Sequence, residues 1–127
     1  MKVIDAYSRA DALAKGVLMD VTREAKEVGI DYPTAITSAV WRWISREDDP
    51  ELEIAAMRFF ILMNVAASNV RGLTPGSNES ERRFDVAWEL PGGVVEVARF
   101  KVVCGSGDSS EMVVTILLDT DVMEALH

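Results

Sequence analysis

Histidine, cysteine, basic charge and long apolar runs are all scarce in this chain, and each shortage removes a class of function. Cys104 is the only cysteine and His127 the only histidine, so no disulfide can close within the chain and a structural zinc site lacks ligands. A nucleophilic thiol needs a base and a nearby positive group. His127 falls in a terminal segment expected to fray, and Arg99 and Lys101 alternate to the opposite side of a strand ending at Cys104. The longest apolar stretch, "IAAMRFFILMNVAA", is broken by Arg58 and Asn64 and is shorter than the roughly 18 residues that span a bilayer. Asp5, Arg9 and Asp11 interrupt the opening "MKVIDAYSRADALAKG" where a signal peptide would be apolar. These features predict a cytoplasmic protein with no membrane segment.

Lysine and arginine number 13 against 21 acids, a formal net charge of −8. The imbalance is uneven: residues 1–46 hold seven bases and six acids, residues 47–127 six bases and fifteen acids. Such a field disfavours non-specific contact with nucleic acid or acidic lipid and favours solubility. It also admits an acidic face that imitates DNA or inhibits a host defence protein. With 49% hydrophobic residues, 127 residues suffice for a conventional core. A chain of this size buries about two thirds of its surface on folding. A single domain over 1–127 is expected.

Two periodicities divide the chain. Up to about residue 70 it reads as helical. "SRADALAKG" has Ser8 as a cap and Gly16 as a stop; "VLMD" is either a short strand or an apolar plug; "VTREAKEVG" gives two turns ended by Gly29. In "DYPTAITSAVWRWISRED", Pro33 suits a first helical turn, and Ile36, Ala39, Val40, Trp43 and Ile44 recur at helical spacing. "DDPELEIAAMRFFILMNVAASNVRG" is the strongest helix, with Asp49 to cap it and Pro50 to open it. Beyond Leu52 it is apolar on nearly every side, so it belongs in the centre of the fold or under a second chain.

After the polar loop 72–81 the period becomes two. "RFDVAWEL", "VVEVARFKVVC" and "MVVTILL" are three strands joined by short turns, an antiparallel meander over 82–118. "DTDVMEALH" adds a short C-terminal tail with one helical turn. The predicted fold is therefore α+β, a three- or four-stranded, mainly antiparallel sheet with helices packed on one face.

Chemistry is thinly represented. "CGSGDSSE" has glycines but no lysine for phosphates, and it runs into a strand rather than a helix, so it reads as a hairpin turn. Neither "REDDPELE" nor "DTDVME" has the spacing and glycine of a calcium loop. No catalytic, metal-binding or cofactor-binding residue stands out. The candidates for contact with a partner or ligand are Trp41, Trp43 and Trp88, with Arg42 and Arg46 on one face of the tryptophan helix. Without a helix-turn-helix pattern or basic-aromatic sheet, nucleic acid is not the expected partner.

Two segments resemble a known group. In "YSRADALAKGVLMDVTREAKEVGIDYPTAITSAVW" they are Gly16-Val17-Leu18, Tyr32-Pro33 and Thr37 with Val40-Trp41. "FKVVCGSGDSSEMVVTILL" supplies Cys104-Gly105, Gly107-Asp108 and the apolar strand after them. Both are similar to a family of small uncharacterised bacterial proteins often encoded on plasmids, phages and other mobile elements. Where members of that family carry a longer polar insertion and further tryptophans, this chain has "RFFILMNVAASN". The resemblance implies a mobile-element-linked accessory role and no particular reaction.

Together these readings favour a non-enzymatic accessory protein acting through protein–protein contacts, with homodimerisation through the apolar helix as one form. The alternatives are a small-molecule or nucleotide-binding domain using the tryptophans, and the acidic mimic.

Overall fold

The computed structural model describes residues 8–45, 53–73, 80–89, 92–93 and 95–119. In chain order the elements are α1 (Arg9–Ala14), β1 (Leu18–Asp20), α2 (Thr22–Glu27), β2 (Thr34–Thr37), α3 (Ser38–Ile44), α4 (Glu53–Val70), β3 (Glu81–Glu89), β4 (Val95–Ser106) and β5 (Met112–Leu118). The class is α+β, as the two periodicities predict. The strands make one sheet in the order β1-β2-β5-β4-β3. β3, β4 and β5 form the expected antiparallel meander, with Phe84 opposite Phe100 and Cys104 opposite Val114.

The sheet differs from expectation in having five strands and in being mixed. β2 runs parallel to β5, placing Thr34, Ala35 and Ile36 beside Val114, Thr115 and Ile116, and β1 pairs antiparallel to β2. The segment Thr34–Thr37, expected to be the start of a helix, is a fully buried strand. Pro33 does not open a helix; its carbonyl accepts from the Val114 N–H at 2.9 Å and begins the ladder with β5. The β-branched Thr34, Ile36 and Thr37 fit an interior strand. Helix α3 begins four residues later, with Thr37 as its cap: the Thr37 hydroxyl accepts from the Val40 N–H at 3.2 Å. β1, three residues long, is too short to show a period of its own.

Alternation assigns the two faces of the sheet. Met19, Ile36, Phe84, Val86, Phe100, Val102, Cys104, Val114 and Ile116 belong to the main core with α2, α3 and α4. Phe100 is its centre. The ring stacks on Phe84 at 5.8 Å between centroids and receives Trp43 edge-on at 5.0 Å. Helix α1 departs from the one-sided arrangement. Ala12 and the half-buried Leu13 pack with Leu18 and Ala35 in a separate, smaller cluster on the opposite face.

Helix α4 buries Ala55, Leu62, Met63, Ala66, Ala67 and Val70 against the sheet. The same side carries Arg58, which is 0% exposed. Its Nη1 donates at 3.2 Å to the carbonyl of Ile44, one of the last carbonyls of α3 and so without an acceptor role inside that helix. The guanidinium thereby fixes the end of α3 on α4. Asp49, Pro50 and the helical turn read in the C-terminal tail lie outside the described residues, as does most of the loop 72–81.

Replacing Arg58 removes both volume and a charge-assisted hydrogen bond from the interior. Arg58→Ala is expected to lower unfolding free energy by about 3 kcal/mol, and Arg58→Met, which keeps the volume, by about half of that. Denaturant titration of both variants measures the difference. Equal stability of Arg58→Ala and wild type would contradict the assigned role.

Candidate functional site

The outward side of α4 departs from ordinary surface chemistry. A helix packed on a sheet normally turns charged residues outward. Here Ala56, Met57, Phe60, Asn64 and Ser68 are exposed, with Met57 at 57% and Phe60 at 64% of their full accessibility. Half-buried Ile61 adjoins them at the helical spacing. The only ionisable residue from Ile54 to Val70 is Arg58, and it faces inward. Asn64 and Ser68 turn their donors back on the helix: Asn64 Nδ2 donates to the Phe60 carbonyl at 2.9 Å and Ser68 Oγ to the Asn64 carbonyl at 3.3 Å. From Ile54 to Val70 the outer face of α4 is thus apolar in its first half and carries no ionisable residue. Burying a side chain the size of Met57 or Phe60 is worth roughly 1.5–3 kcal/mol when complete, so this face gains by being covered.

The five residues nominated for contact do not share one environment. Trp43 is half-buried and its ring packs on Phe100, which makes it a core residue. Trp41 and Arg42 are exposed on α3, Trp41 at 42%. Trp88 lies on β3 opposite Glu96 in register. Arg46 lies outside the described residues. Met57 and Phe60 were hidden within the general apolarity of "AAMRFFILM". No signal in the sequence set them apart: a lone arginine on an apolar helix ordinarily turns outward, and here Arg58 is buried.

The segment "CGSGDSSE" is structural. Cys104 is buried, 1% exposed, and desolvation pushes its thiol above the ordinary value. Between β4 and β5, Gly107 donates its N–H to the Glu111 carbonyl at 2.7 Å, and Glu111 Oε1 accepts from the Ser109 N–H at 3.0 Å. A Cβ at Gly107 would run into that same Oε1, so a side chain there displaces the Glu111 carboxylate from Ser109. Asp108 reaches across to α1: its oxygens accept from the N–H groups of Arg9 at 2.8 Å and Ala10 at 3.0 Å. The Arg9 guanidinium completes the attachment, donating to Thr115 Oγ1 at 2.8 Å and to the Val114 carbonyl at 3.0 Å. A contact spanning some hundred residues leaves no local signal in the sequence.

Other acids are also occupied. Arg83 Nε donates to Asp119 at 2.7 Å and Arg99 Nε to Asp85 at 2.8 Å, and Lys101 Nζ lies 4.0 Å from Glu81. The Arg99 hydrogen bond holds the Asp85 carboxyl below its ordinary value. Among the described residues, no group of three or more His, Cys, Asp and Glu is arranged to hold a metal ion.

The backbone donors of Ala10 and Arg9 lower the Asp108 carboxyl below its ordinary value of 3.8. A depressed carboxylate contributes its full stabilisation at neutral pH and loses it as pH falls through the folded-state value. The amide resonances of Arg9 and Ala10 are therefore expected to shift together below pH 3.8, and Asp108→Ala should reproduce the acidic spectrum at pH 7. Unmoved amides in that variant would contradict the attachment.

No curated protein and no solved structure matches the chain. One family description does, and it covers residues 1–122, nearly the whole sequence. Its span includes both ends of the Asp108–α1 attachment as well as all of α4. The chain belongs to DUF6573, a family of unknown function.

Proposed function

We propose that this protein is a non-enzymatic accessory factor that works by protein–protein contact through the outer face of α4. The observation that carries the reading is the exposure of Met57 and Phe60 in a stretch, Ile54 to Val70, whose only ionisable residue is the buried Arg58. A catalytic reading has less to stand on. The thiol of Cys104 is buried and shifted toward the unreactive protonated form, and Asp85, Asp108 and Asp119 are engaged in capping or ion pairs.

Trp41 and Arg42, exposed on α3, are the remaining candidates for a second contact. The small-molecule or nucleotide reading keeps Trp41 as its aromatic platform but loses Trp43 to the core. Pairing of Asp85 and Asp119 with arginines also weighs against a continuous DNA-like acidic face. No helix of the described residues is long and apolar enough to cross a membrane. The proposed setting is the cytoplasm, in an accessory role linked to mobile elements, as the family resemblance implies.

Photo-crosslinking in the native cell tests this. A benzophenone side chain at position 60 is expected to yield discrete protein-linked products, while the same group at Arg23, exposed on α2, yields none. Failure to form any discrete product at position 60 would remove the reading.

A further inference from the structure

We infer that α4 docks against α4 of a second copy of this chain, antiparallel, about a twofold axis passing between Met57 and Phe60. This deepens the contact reading above and rests on it. Three features of the helix select the occupant.

The first is charge. The whole chain carries −8, so two copies approaching through an acidic face repel each other. From Ile54 to Val70 the outer face presents no ionisable group, and Arg58, the only one in the segment, is fully buried. Copies meet here without placing like charges together. A basic partner, by contrast, finds no carboxylate on this stretch to steer or hold it.

The second is the graded composition of the face. Ala56, Met57, Phe60 and Ile61 occupy its first half, whereas Asn64 and Ser68 mark the second. An axis at the middle of the helix would press apolar residues onto polar ones. An axis between Met57 and Phe60 sets Met57 against Phe60 of the partner subunit, and Ala56 against Ile61 of the partner subunit. The small Ala56 side chain lets the two backbones approach, and the Asn64 and Ser68 donors, bonded to their own helix, are left at the rim.

The third is size. An axis so close to the start of α4 overlaps about 12 residues, roughly 18 Å of helix. A contact of that length falls short of the ~800 Å² per partner of a standard stable interface, so a reversible dimer is expected.

Light scattering and sedimentation over roughly a hundredfold range of concentration read this directly. The mass of the wild-type chain is expected to rise from 14.0 kDa toward twice that value. Phe60→Glu should raise the concentration needed by at least tenfold while leaving the circular dichroism spectrum unchanged. Register is tested separately by mixing Met57→Cys with Phe60→Cys under mild oxidation. The mixed disulfide should dominate over either symmetric one, and Cys104, being buried, does not compete. A wild-type chain that stays at 14.0 kDa throughout, a dimer indifferent to Phe60→Glu, or symmetric disulfides in excess would each overturn the inference. If the chain stays monomeric while position 60 still crosslinks to a different protein in the cell, only the second-copy assignment fails. If neither contact forms, both readings fail.

Discussion

Strand β5 is bonded on both of its edges, and the rest of the described structure depends on that double pairing. On one side it continues the meander through β4; on the other it takes β2 in parallel. The parallel pairing brings residues 34–36 against 114–116, so that the first third of the sequence completes the sheet of the last third. Once Thr34–Thr37 is held there, Thr37 is in position to cap α3, and Trp43 on α3 is carried onto Phe100. Arg58 then ties the end of α3 to α4. On the other face, the same strand offers Thr115 and the Val114 carbonyl to Arg9, while the turn before it offers Asp108 to the start of α1. One strand therefore organises both layers.

The position of α4 follows from this frame, and so does its exposed side. With the sheet taking Leu62, Met63 and Ala66, and Arg58 directed toward Ile44, the opposite side of the helix has to carry Met57 and Phe60. A single buried cation thus orients an otherwise ambiguous apolar helix. Two large apolar residues left outside a core that already holds Phe84, Phe100 and Ile116 are not required by packing within the chain. The contact proposed above would cover them.

Much of the fold was legible in the sequence where the signal was local and repeated. The alternation from Phe84 to Leu118 marked the meander, and the length and apolarity of the segment after Pro50 marked α4. Glycines 16 and 29 marked the ends of α1 and α2. What failed was the segment after Tyr32, where a proline and a helical spacing of apolar residues outweighed the β-branched Thr34, Ile36 and Thr37. A four-residue interior strand is defined by its neighbour β5, eighty residues away, and nothing within it announces that neighbour. The candidate surface was half legible. Helix α4 was marked as needing cover, but the face to be covered depended on where Arg58 points, which only the packing of α3 decides. Trp43, nominated for contact, is instead claimed by Phe100. Asp108, in a segment read only as a hairpin turn, is claimed by α1.

In the proposed contact the outer face of α4 is open in the isolated chain and becomes covered by association. Methionine oxidation by dilute peroxide measures this most directly, because Met57 is exposed and Met63, on the same helix, is buried. In dilute protein Met57 is expected to oxidise much faster than Met63, and at high protein concentration its rate should fall toward that of Met63. Equal, slow oxidation of both residues in dilute protein would contradict the account, since it would mean that the face is already closed within one chain.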